Sequence, residues 1–133
     1  MKLFRAVFIS FLAASCSAES APEKSLPSCW NINDLDLGRF VGQGIFITSM
    51  EGISLQAPGC DDSSGYNSFK LSPPVDQAIR DYMLRGAGER FIGFTFHGRV
   101  ANIGNRKQLV IDSVDQIRGA EKPRWLADLE RSH

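Results

Sequence analysis

Histidine is nearly missing from this chain: His97 and the terminal His133 are all there is, so acid–base and metal chemistry have few groups to draw on. The three cysteines, Cys16, Cys29 and Cys60, form no C-x-x-C pair, which argues against a thioredoxin-like redox centre or a clustered zinc site. No G-x-S-x-G occurs, so the serine nucleophile of a strand-to-helix elbow has no candidate. Charge of one sign is also lacking. Fifteen basic residues balance fifteen acidic ones, which gives little long-range pull on polyanions. Finally, no apolar run is long enough for a permanent membrane helix; the best, Leu3 to Ala14, is broken by Arg5 and Ser10.

That short run sits where an export signal would. Lys2 and Arg5 make a basic start, the apolar stretch follows, and small residues come next, as a signal peptidase requires. "LAASC" resembles the lipobox of bacterial lipoproteins, in which cleavage just before a cysteine leaves that residue lipidated. The resemblance implies a signal over 1–15 and a lipid on Cys16, although the favoured leucine, Leu12, lies one place further upstream than usual. The alternative is ordinary secretion with cleavage near Ala18. Both readings export the chain, to the periplasmic side of a bacterial membrane or beyond. Lys2 and Arg5 leave with the signal, so 13 of the 15 basic residues face all 15 acidic ones in a slightly acidic mature chain.

In an oxidising compartment Cys29 and Cys60 read most simply as a disulfide. Closing a loop of about 30 residues would stabilise the fold by roughly 3 kcal/mol. Residues 16–28, with Pro22, Pro27 and several serines, read as a flexible tether, and 29–133 as a single domain.

Within that domain the pattern is mainly strand. "DLGRFVGQGIFITSM" suits a long strand bent at Gly42 and Gly44; "GISLQA" alternates, with Ile53, Leu55 and Ala57 on one face and Ser54 and Gln56 on the other. "YNSFKLS" is a short third strand. The period then changes: Ser72 as N-cap, Pro73, and Val75, Ala78, Ile79, Tyr82 and Met83 on one face predict a helix that ends at Gly86 and Gly88. "RFIGFTFHGRV" and "QLVIDSVDQI" give two more strands. Pro123 opens a short amphipathic helix with Trp125, Leu126 and Leu129 available for docking. Trp30 and Trp125 either pack onto the core or form a partner-facing patch.

This order, three strands, a helix and two strands, resembles the OB-fold, a five-stranded Greek-key barrel with its helix between strands three and four. The runs "DLGRFVGQGIFI" and "GISLQAPGC" are similar to those of small exported OB-like bacterial proteins. That resemblance implies a ligand surface on strands two and three. The candidate binding residues are Gln56, Tyr66 and Lys70, joined by His97 and Arg99 on the polar side of the fourth strand. One exposed tyrosine with one lysine makes a poor nucleic-acid face. "GNRK" at 104–107 reads either as ordinary hairpin-tip chemistry or as a basic phosphate contact. "CDDSSG" reads as a solvated turn, since a calcium loop needs six or more oxygens at set spacing.

The expectation is therefore a non-enzymatic binding or interaction module of the cell envelope, with no cofactor, whose partner is an envelope protein or a small ligand. The rival is an envelope enzyme built on His97 with Asp112 or Asp115, which a cross-strand polar pair explains equally simply.

Overall fold

β-Branched and aromatic residues make up half of the stretch from Gly38 to Ile47, in two groups around Gly42 and Gly44, and this stretch organises everything around it. A computed structural model describes residues 22–49, 52–63, 65–85 and 90–132. Cys16 and the stretch expected to be an export signal, 1–15, lie outside them. The strands are β1 (Lys24–Ser25), β2 (Gly38–Ser49), β3 (Gly52–Gln56), β4 (Phe69–Leu71), β5 (Phe91–Ile103) and β6 (Arg106–Gly119). The helices are α1 (Pro73–Arg85) and α2 (Arg124–Arg131), with a 3₁₀ turn at Ile32–Asp34. No helix among the described residues is long and apolar enough to cross a membrane.

One edge of β2 pairs antiparallel with β5 from Gly38↔Val100 to Ile47↔Phe91. Its other edge is shared: β3 takes the C-terminal half, from Ile45↔Gln56 to Ser49↔Gly52, and β1 runs parallel to Phe40–Val41. β5 pairs antiparallel with β6, and β6 pairs parallel with β4. The result is a mixed six-stranded sheet.

Two expectations need correction. The sheet is not the closed five-stranded barrel, because β3 and β4, its two free ends, do not pair with each other. Side chains take the place of a backbone ladder there: Asn67 Nδ2 donates to Leu55 O at 3.1 Å and Gln56 Nε2 donates to Gly65 O at 3.0 Å. A three-residue β4 offers few groups for a longer ladder. In addition, the described part of the segment expected as a tether over 16–28 lies against the sheet from Glu23 onward. Leu26 N donates to Val41 O, and Leu26 lies so close over Gly42 that a Cβ at that glycine would come within 2.9 Å of it.

The core is aromatic. Trp30, Phe96, Phe94, Phe46 and Phe69 form a chain of ring contacts with centroid separations of 4.6 to 6.0 Å. Trp30 is thus a core residue, and its indole N–H donates to Gln43 O at 2.9 Å. α1 buries Val75 and Ile79 and half-buries Ala78 and Tyr82, as its periodicity predicts, but Met83, expected on the same face, is exposed. Ser72 precedes the helix as expected of its N-cap, its carbonyl accepting from Asp76 N, but its hydroxyl donates to Asp112 O on β6 instead of capping the helix. α2 half-buries Trp125 and Leu126 and leaves Leu129 exposed.

Gly98 sits beside an irregularity in the β5–β6 ladder, where a Cβ would lie 2.4 Å from Val110 O. Backbone cannot yield as a side chain can. Gly98→Ala is expected to destabilise the domain by at least about 2 kcal/mol, read as a lower urea midpoint at constant slope. An unchanged midpoint would contradict the contact.

Candidate functional site

The seam between β3 and β4 has two different ends. At one end it is laced shut. Asn67, only 3% exposed, accepts from Ile32 N at 2.8 Å through Oδ1 while its Nδ2 holds Leu55 O. Gln56, 7% exposed, holds Gly65 O and accepts from Ser63 Oγ. Removing the Asn67 amide would strand the buried Ile32 N and Leu55 O, which is costly in a dry interior.

At the other end the seam gapes and α1 stands beside it. The gap is a groove of about 540 Å³ lined by Phe46, Ile53, Phe69, Leu71, Ile79, Met83 and Leu84, with Asp76, Gln77 and Arg80 among the lining residues. Phe46 and Ile79 are buried, whereas Ile53 is 43% and Leu84 84% exposed. The polar members bind one another or their own helix: Arg80 Nε donates to Asp76 Oδ2 at 2.9 Å, and Gln77 Nε2 to Asp81 Oδ1 at 2.8 Å. An exposed i,i+4 pair of this kind contributes little to stability. The arrangement leaves the groove with apolar walls and mutually satisfied polar groups, and its size falls within the range of small-ligand sites.

The residues singled out from the sequence are distributed over separate places. Gln56, expected to face outward, is buried, because Leu55, Gln56 and Ala57 all turn inward at the lacing. Ser68, just before β4, is buried too. Tyr66 is 75% exposed at the rim of a polar cleft shared with Asn105, Arg106 and Lys107. Lys70 is exposed on the side of β4 opposite Phe69 and Leu71. His97 and Arg99 lie on the polar face of β5. His97 Nδ1 is 2.8 Å from Glu23 Oε2 on the N-terminal strap, and Arg99 Nε is 3.4 Å from Asp112 Oδ2 on β6. Asp115 lies across from Thr95. The carboxylate bonded to His97 is therefore Glu23, and His97 lines neither concavity.

Cys29 and Cys60 are bonded, joining the N-terminal segment to the turn after β3. Asp61 and Asp62 are exposed there, and among the described residues no three His, Cys, Asp or Glu side chains converge as a metal site would require. The carboxyl of Glu130 on α2 is held below its ordinary value chiefly by the hydrogen bond from Lys122. Glu130 lines neither concavity.

The groove was not legible beforehand because its walls come from β2, β3, β4 and α1. One signal was available: the apolar run Tyr82–Met83–Leu84 is wider than the stripe needed to cover a core. No protein-family model matches the chain, and neither does any curated protein or solved structure.

Proposed function

We propose that the protein is a non-enzymatic binding module of the bacterial cell envelope: an OB-like sheet, open along one seam, whose groove takes an aliphatic ligand. The observation that carries this reading is the groove itself, with seven apolar walls and polar groups already engaged. Export is supported by the Cys29–Cys60 bridge, since such bonds persist in oxidising compartments. The lipid on Cys16 rests on the sequence pattern alone. One missing pairing, β3 with β4, separates the sheet from a closed ring of five strands, which supports the OB-like description.

Energetics limit the ligand. Each buried methylene contributes about 0.8 kcal/mol, so six to eight of them supply roughly 5 to 6 kcal/mol. Without directional polar contacts that corresponds to an affinity of about 0.1 mM before ordering costs. A groove of this kind suits a mobile aliphatic chain or the tail of a larger molecule. The enzyme reading has less support, because Glu23 and Arg99 occupy His97 and Asp112 respectively. A nucleic-acid role is also poorly supported, since Tyr66 is the one well-exposed aromatic among the described residues, whereas stacking successive bases needs several.

Titration with the neutral fluorophore N-phenyl-1-naphthylamine tests the groove. A saturable rise in emission is expected, weakened at least tenfold by Ile53→Glu or Leu84→Glu at unchanged melting temperature, because both side chains are substantially exposed. Absence of saturation, or binding by both variants as tight as by the unmodified protein, would refute the assignment.

A further inference from the structure

The closed end of the seam builds a second concavity with the opposite chemistry. It measures about 520 Å³ and lies between the tip of the β5–β6 hairpin, the 3₁₀ turn and residues 65–68. Its lining includes two cations, Arg106 and Lys107, and no carboxylate. Arg106 has no ion-pair partner among the described residues. Lys107 Nζ donates to Leu35 O at 2.7 Å, which fixes the ammonium and leaves two of its three N–H groups for other acceptors. Tyr66 stands at the rim with most of its ring in solvent, and Asn33 and Asn105 add carboxamides.

Each wall is held in place. The Tyr66 wall is fixed by Gln56 Nε2 on Gly65 O, by Gly65 N on Ser63 Oγ and by the buried amide of Asn67. The hairpin wall is fixed by the pairs Asn102↔Lys107 and Ile103↔Arg106. In the third wall Asn33 N donates to Asn31 Oδ1 at 2.8 Å. A cleft whose walls are held before a ligand arrives loses less entropy on binding. Its charge is unbalanced in one direction, and an anion is the complement. The volume is far larger than an isolated phosphate or carboxylate needs, and the surplus lies beside an aromatic face. We infer that this cleft is a second binding site, separate from the apolar groove, for a small organic anion that carries a flat ring next to its charged group. The guanidinium of Arg106 and the ammonium of Lys107 receive the anion, and Tyr66 covers the ring.

Phosphate and carboxylate share this chemistry, so both are used as probes. Amide ¹H–¹⁵N spectra of the full domain are followed during titration with phenyl phosphate, benzoate, inorganic phosphate and phenol. Saturable shifts are expected at Gly65, Tyr66, Asn105, Arg106 and Lys107 with phenyl phosphate or benzoate; whichever binds more tightly identifies the preferred anion. Arg106→Gln should weaken binding about tenfold, the loss of one charge-assisted contact. Tyr66→Ala should weaken phenyl phosphate several-fold and leave inorganic phosphate unchanged. Both positions are exposed, so retained spectra elsewhere will show that the variants fold. Phenol binding as well as the anions, full affinity in Arg106→Gln, inorganic phosphate equalling phenyl phosphate, or no saturable shift at these amides would each overturn the inference. The naphthyl probe of the groove is read separately, so failure at one site leaves the other intact.

Discussion

Replacing Phe46 by alanine is expected to lower the stability of the domain by about 3 to 5 kcal/mol. Phe46 is fully buried, lies 4.6 Å from the ring of Phe94 and 5.4 Å from that of Phe69, and forms part of the groove lining. Three terms add up. The side chain loses its transfer energy, two aromatic contacts disappear, and the sheet above cannot collapse into the space because β2 is held by β5 along one edge. For a domain of this size each kcal/mol moves the melting temperature by about 4 °C, so a fall of roughly 12 to 20 °C should be seen by calorimetry. Phe46→Leu keeps most of the volume and should show a much smaller fall. Equal losses for the two variants would mean that the ring contacts, not the filled volume, hold this part of the core.

The second large effect concerns the bridge. Converting both Cys29 and Cys60 to serine removes a cross-link between residues 31 apart, and the loop-entropy estimate gives about 3 to 4 kcal/mol of lost stability. The melting temperature should drop by roughly 12 to 16 °C. Two local contacts survive the change, Gly59 N on Ser28 O and the Trp30 indole on Gln43 O, so the native state should keep its shape at low temperature. The site effects should differ accordingly. The apolar groove shares no residue with the bridge and should bind the naphthyl probe at 15 °C as before. The polar cleft depends on the segment that follows Cys60, and its affinity for phenyl phosphate should fall. A loss below about 1 kcal/mol would show that the unfolded chain is little constrained by the cross-link.

Much of the architecture could be read from residue patterns. β-Branched and aromatic content located β2, alternation located β3 and β5, and period-3.6 spacing located α1 with its buried Val75 and Ile79. The bridge followed from compartment chemistry and the cysteine count. The binding residues were less legible. Gln56 alternates with Leu55 as a solvent-facing strand residue would, yet the strand ends there and turns inward, so its amide is buried against Gly65. His97 was matched to carboxylates on the neighbouring strand, and the partner came instead from Glu23, 74 positions earlier in the chain.

The sequence by itself determined the local preferences: which stretches extend, where the helix begins, which cysteines remain to pair, and that the net charge is near zero. Only the tertiary structure decided that β3 and β4 stop short of pairing, and so left a groove at one end of the seam and a polar cleft at the other. The reason is physical. Periodicity reflects how one element meets its own neighbours, whereas a seam depends on how far apart two edges stand once four other elements have packed between and around them. That separation is set by side chains distant in the sequence: Asn67 reaching Leu55 and Ile32, and Phe46 packed against Phe69 and Phe94.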